Sequence, residues 1–134
     1  MPNTSGRPNI LFLFPDQLRF DWIGSTPDIP VRTPNLDRLQ KQGMHFPKTV
    51  CPAPVCAPSR ACMAVGMEYD NNPVLNNNYN LPLDATTVYR LLRDSGYYVI
   101  GCGKFDLNKA ECNSNKPAWG LDGKLHLQEW GFSD

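Results

Sequence analysis

The sequence predicts an α/β fold: a mostly parallel sheet flanked by helices. Three observations lead there. From Asn9 to Phe14 the chain is apolar without alternation, and Pro15-Asp16 stops it. From Asp84 to Gly96 the residues follow helical spacing. Tyr97-Tyr98-Val99-Ile100-Gly101 then follows directly as a second short apolar run. Strands buried on both faces read as continuous apolar runs, and a helix leading into such a strand is the unit of a parallel sheet.

The elements follow in order. The first strand, Asn9–Phe14, delivers Asp16 and Gln17 to its carboxyl end, where open α/β sheets bind ligands. Thr33 to Gly43 reads as a short helix, with Thr33 as N-cap, Pro34 in the first helical position and Gly43 as the stop. Leu36 and Leu39 give it a narrow apolar face. Met44 to Val55 is interrupted by proline and reads as extended. A second helix is expected from Pro58 to Val65, closed by Gly66. Glu68 to Ala85 has turn composition, with Val74, Leu75, Leu81 and Leu83 available to pin it. In the helix of Asp84–Gly96, Val88, Leu91, Leu92 and Ser95 share one face. Gly103-Lys104-Phe105-Asp106-Leu107 follows the second strand, and a Pro/Asn-rich run leads to Gly131-Phe132.

Bulk properties narrow the function. The 134 residues make one ordinary domain at most. Thirteen basic residues balance thirteen acidic ones, so no basic excess points to nucleic acid. No apolar run approaches the roughly 18 residues that would span a bilayer. The polar stretch Met1–Asn9 lacks the apolar segment of a secretory signal, which leaves the compartment open. Five cysteines cannot all pair within one chain. No Cys-x-x-Cys occurs and only His45 and His126 could help hold zinc, which argues against a zinc module. Cys62 also stands where a Cys-x5-Arg phosphatase loop would need its arginine.

Cys56-Ala57-Pro58-Ser59-Arg60 carries the most chemistry. It puts a sulfur-bearing side chain at the mouth of a helix, where the dipole and unpaired N–H groups favour anions. Arg60, in the expected first turn, adds positive charge. A cysteine so placed is a candidate nucleophile or a candidate for modification. Read blandly, it is a buried cysteine beside a helix start, and Arg60 pairs with an acidic neighbour.

The Cys-x-Pro-Ser-Arg pentapeptide resembles the signature of the type I, formylglycine-dependent sulfatases of the alkaline-phosphatase-like superfamily. Three further segments match that family in order: Asp16-Gln17 after the first strand, Thr33-Pro34-Asn35-Leu36-Asp37-Arg38-Leu39, and Gly103-Lys104 after the second strand. The likeness runs from Pro8 to Asp134. It implies that the chain is the N-terminal part of a sulfatase catalytic domain, and that the sheet is incomplete within these residues.

The resemblance implies the chemistry as well. Cys56 would be oxidised to Cα-formylglycine by a formylglycine-generating enzyme. The hydrated aldehyde would attack sulfur, release the alcohol and then expel sulfate as the aldehyde reforms. Arg60 would hold that group, and Lys104 would contact the sulfuryl oxygens as a point charge. Asp16, Gln17 and residue 56 would ligate a divalent cation, calcium first, with manganese or magnesium as alternatives. The expected substrate is a small-molecule or carbohydrate sulfate ester, with phosphonate or phosphate monoesters as rivals. No nucleic-acid or membrane partner is expected. A non-catalytic fragment keeping the fold signature is the competing reading, because calcium takes about 6–8 oxygens and this chain offers too few.

One departure stands out. The family's Gly-Lys-x-His becomes Gly103-Lys104-Phe105-Asp106 here, while Gly123-Lys124-Leu125-His126 keeps the histidine elsewhere. Lys104 is preferred because it follows the strand in family order. His126 is a minor candidate for a substrate contact.

Overall fold

The computed structural model describes residues 6–26, 29–108 and 127–133. His126, Cys112 and the alternative Gly123–Leu127 motif up to its last residue lie outside them. The chain divides into two compact units, Met1–Thr49 and Val50–Asp134.

In the first unit the expected strand is not formed and its residues are exposed, with Leu11 83% and Leu13 68% accessible. Burial on both faces needs a layer on each side, and no described residue of this unit supplies one. At the end of the run the chain bends at Asp16-Gln17, and Gln17 takes φ 56°. A short 3-10 turn spans Phe20–Trp22. Helix α1, Pro34–Gln42, starts and stops as its sequence predicts, with the Gly43 N–H bonded to the Leu39 carbonyl at 2.9 Å. Thr33 acts differently from a simple cap. Its hydroxyl accepts from the Gly24 N–H (2.8 Å) and donates to the Asp37 carboxylate (2.8 Å), so it ties the preceding loop to the first turn.

The second unit holds helix α2, Cys56–Val65, and helix α3, Val88–Asp94, with a 3-10 turn at Tyr69–Asn71. α2 is built from small residues: Ala57, Ala61, Cys62 and Ala64 are buried. Small side chains let neighbouring backbone approach the helix closely. Val74, Leu81, Leu107 and Trp130 complete this core. Val74 and Leu81 thus pin the Asn-rich loop as expected, whereas Leu75 and Leu83 face out. Gly66 ends α2 in the left-handed region (φ 68°), its N–H on the Cys62 carbonyl at 2.8 Å.

Both helix starts differ from the sequence reading. α2 begins at Cys56, two residues early, because Val55 is already an extended N-cap. α3 begins at Val88, four residues late. Ala85 is taken up in a turn on the Pro82 carbonyl (3.1 Å), and Thr87 caps the helix by accepting from the Arg90 N–H at 3.1 Å. The buried side of α3 is also not the one its apolar spacing marks. Val88 and Leu91 are exposed, while Thr87 is fully buried and bonded through its hydroxyl to the Trp130 carbonyl. Tyr89 stacks on Phe132 at 4.6 Å, and Phe105 meets the same ring edge-on at 4.8 Å.

No strand occurs among the described residues. The Tyr97–Gly101 segment is tied at Val99, where the Ser133 N–H reaches the Val99 carbonyl (2.8 Å) and the Val99 N–H reaches the Ser133 hydroxyl (2.9 Å). One such rung, half of it made by a side chain, is not a ladder. The predicted parallel sheet is therefore absent from the described residues, and neither of its apolar runs forms a strand there. Gly131 explains how the last segment comes so close to α3. Its φ is 109°, and a Cβ there would run into the backbone of Tyr89 and Arg90.

Candidate active site

The site is assembled around the start of α2. The first helical N–H groups have no partner within a helix, so their fate decides what an anion could find there. Val55, the N-cap, provides no side-chain cap. Asn77 does so from a distance: its side-chain oxygen accepts from the Ala57 N–H at 3.0 Å. Pro58 brings no N–H, and the Ser59 N–H closes the first turn on the Val55 carbonyl at 3.1 Å. Cys56 is half-buried in the first helical position, at the positive end of the helix dipole.

Because α2 starts at Cys56, Arg60 falls in the second turn rather than the first. It is 6% exposed, and its Nη1 donates to the Lys104 carbonyl at 2.6 Å. A charge-assisted bond across 44 residues thus holds the cysteine-bearing helix to the segment after the second apolar run. Lys104 itself is half-exposed. Its ammonium lies 3.8 Å from the Asp106 carboxylate, an ion pair too long for a hydrogen bond. Asp106 has φ 58°, a left-handed conformation that aspartate tolerates better than most residues.

Two titrations are displaced. Burial pushes the Cys62 thiol up, and the Glu68 carboxylate adds to the effect. Burial also raises the Tyr89 phenol, against which the Arg60 cation pulls. Cys62 is buried inside α2, whereas Cys51 and Cys102 are exposed.

The structure thus brings together Arg60 and Lys104 of the expected site, with Asp106 beside them, on the unit that carries Cys56. Asp16 and Gln17 belong to the first unit. They offer two neighbouring hard oxygen donors, fewer than calcium needs. Among the described residues no group of three His, Cys, Asp or Glu side chains could hold a metal ion. The described residues therefore do not complete a cation site.

Sequence reading missed two contributors. Asn77 lies in an asparagine-rich loop and caps a helix 20 residues away, which no local pattern announces. The Arg60 bond uses the Lys104 backbone, so the identity of residue 104 carries no sign of it.

The similarity to known proteins is extensive. The chain is 30% identical over 122 residues to an uncharacterized sulfatase of Escherichia coli, covering 87% of this chain and 24% of that protein. It is 31% identical over 102 residues to an ulvan-active sulfatase of Formosa agariphila (76% of this chain, 20% of that protein). It is 33% identical over 101 residues to a choline-sulfatase of Rhizobium meliloti (75% and 20%). The chain thus spans about a fifth to a quarter of the length of these curated relatives. No solved structure matches it. The sequence profile of one family matches residues 8–132, nearly the whole chain, and on that match the chain belongs to the sulfatase family.

Proposed function

We propose that the protein is a sulfuric ester hydrolase, with Cα-formylglycine made from Cys56 as its nucleophilic group. Family membership supports the reaction class and an α/β sheet of the alkaline-phosphatase-like kind. The observation that carries the residue assignment is the buried Arg60 guanidinium on the Lys104 carbonyl. It joins the two segments that must act on one sulfate group, the start of α2 and the turn at Gly103-Lys104.

The formylglycine, once formed by a formylglycine-generating enzyme, supplies a hydrated aldehyde as nucleophile. The remaining tasks belong to the chain. The positive end of α2 favours the negative sulfuryl oxygens at residue 56. Lys104 contributes a mobile positive charge to the oxygens that gain charge as the ester bond breaks. Arg60 donates to Lys104's backbone and holds the position of that turn. Asp16 and Gln17, with residue 56, are the contributions proposed toward a divalent cation, calcium with manganese or magnesium as alternatives. Further oxygens must come from elsewhere. The bend at Gln17, where a non-glycine residue adopts φ 56°, supports a functional constraint there. Sulfate esters of small molecules or carbohydrates are the proposed substrates.

Hydrolysis of an aryl sulfate by the protein matured with a formylglycine-generating enzyme tests this reading. Cys56→Ala is expected to abolish turnover, and Lys104→Ala to reduce kcat by about 10²–10³, the scale of one transition-state contact. Full activity in Cys56→Ala would refute it.

A further inference from the structure

We infer that Asp106 is a specificity-determining residue that favours singly charged sulfate esters over doubly charged phosphate monoesters. The inference rests on the proposed role of Lys104 and deepens it. Three observations carry it. The Asp106 carboxylate lies 3.8 Å from the Lys104 ammonium. Its side chain is only 11% exposed, against 47% for Lys104, so water screens it poorly. Its backbone sits in the left-handed region, at φ 58°.

The charge count follows directly. Arg60 and Lys104 bring two positive charges to this unit's side of the site, and Asp106 takes one away. An anion contacting Lys104 therefore also meets a carboxylate. Each negative charge on the ligand is repelled once, so a dianion loses about twice what a monoanion loses. Sulfate monoesters carry one charge. Phosphate monoesters, whose second pKa is near 6, carry close to two above neutral pH. The shapes are nearly the same, so charge must do the sorting. Comparing each Asp106 variant with the parent for the same ligand cancels every contribution that Asp106 does not alter, that of a bound cation included.

The test is titration of the full chain with methyl sulfate and with methyl phosphate at pH 8. The parent chain, Asp106→Asn and Lys104→Ala are compared. Asparagine tolerates the left-handed backbone and keeps the side-chain shape; Asp106→Gly keeps the backbone too and removes the carboxylate altogether. Both Asp106 variants are expected to tighten methyl phosphate about tenfold more than methyl sulfate, as one unit of charge at several ångströms in a partly screened site would give. Equal changes for both ligands, or none, would overturn the inference while leaving Lys104 in place if Lys104→Ala still weakens binding. Binding that Lys104→Ala does not weaken would overturn both the inference and the proposed site.

Discussion

Replacing Arg60 by methionine removes the donor that holds α2 to the turn at Lys104 and keeps most of the side-chain volume. The bond it breaks is short, 2.6 Å, buried and charge-assisted. Hydrogen bonds to charged groups contribute about 1.5–3 kcal/mol. For a unit of this size each kcal/mol shifts Tm by about 4–8 °C, so Arg60→Met is expected to lower Tm by at least roughly 6 °C. Thermal and urea melting read this, the midpoint moving with an unchanged m-value. Lys104→Ala supplies the decisive control. The acceptor is a backbone carbonyl that this variant keeps, and only the 3.8 Å pair with Asp106 is lost, so Lys104→Ala is expected to cost less than about 1 kcal/mol and less than Arg60→Met. A Tm change under about 2 °C in Arg60→Met, or equal losses in the two variants, would refute the coupling.

Three further outcomes are expected. Asn77→Ala removes the remote cap of α2 and should cost about 1 kcal/mol in urea melting, whereas Asn77→Asp keeps an acceptor at the positive helix end and should cost less. Gly131→Ala forces a Cβ into the Tyr89–Arg90 backbone at φ 109° and should cost more than about 3 kcal/mol or prevent folding; a mild change would contradict the close approach. The raised Cys62 and Tyr89 groups predict a loss of stability toward alkali. Both are neutral acids whose ionisation is harder in the folded state. Their stabilisation is thus full below the unfolded values, about 8.5 for a thiol and 10 for a phenol, and is lost as pH climbs through the folded ones. In an alkylation time course at pH 8, Cys51 and Cys102 should react well before Cys62; early labelling of Cys62 would refute its burial.

Much of this was legible in the sequence where the cause is local. Thr33, Pro34 and Gly43 mark α1 because caps and stops act within a turn of the helix they bound. Gly66 marks the end of α2 for the same reason. The pentapeptide at Cys56 announces the family, and its order with Asp16-Gln17 and Gly103-Lys104 announces it more firmly. What stayed hidden depends on contacts distant in sequence. Thr87 turns inward and Val88 outward because the Trp130 carbonyl awaits the threonine hydroxyl, a fact 43 residues away from the helix it orients. The start of α2 moved to Cys56 alongside a cap on Ala57 that comes from Asn77. The apolar runs at 9–14 and 97–101 form no strand among the described residues, because a sheet is a relation between segments, and the second run has only the single rung at Val99.

The most direct measurement is tandem mass spectrometry of the tryptic peptide from Thr49 to Arg60, taken from protein made together with a formylglycine-generating enzyme. Residue 56 is expected to have lost one sulfur and two hydrogens and gained one oxygen, with Cys51 in the same peptide unchanged. An intact thiol at 56, or the same conversion at 51 instead, would contradict the proposal that α2 carries the nucleophile at its first residue.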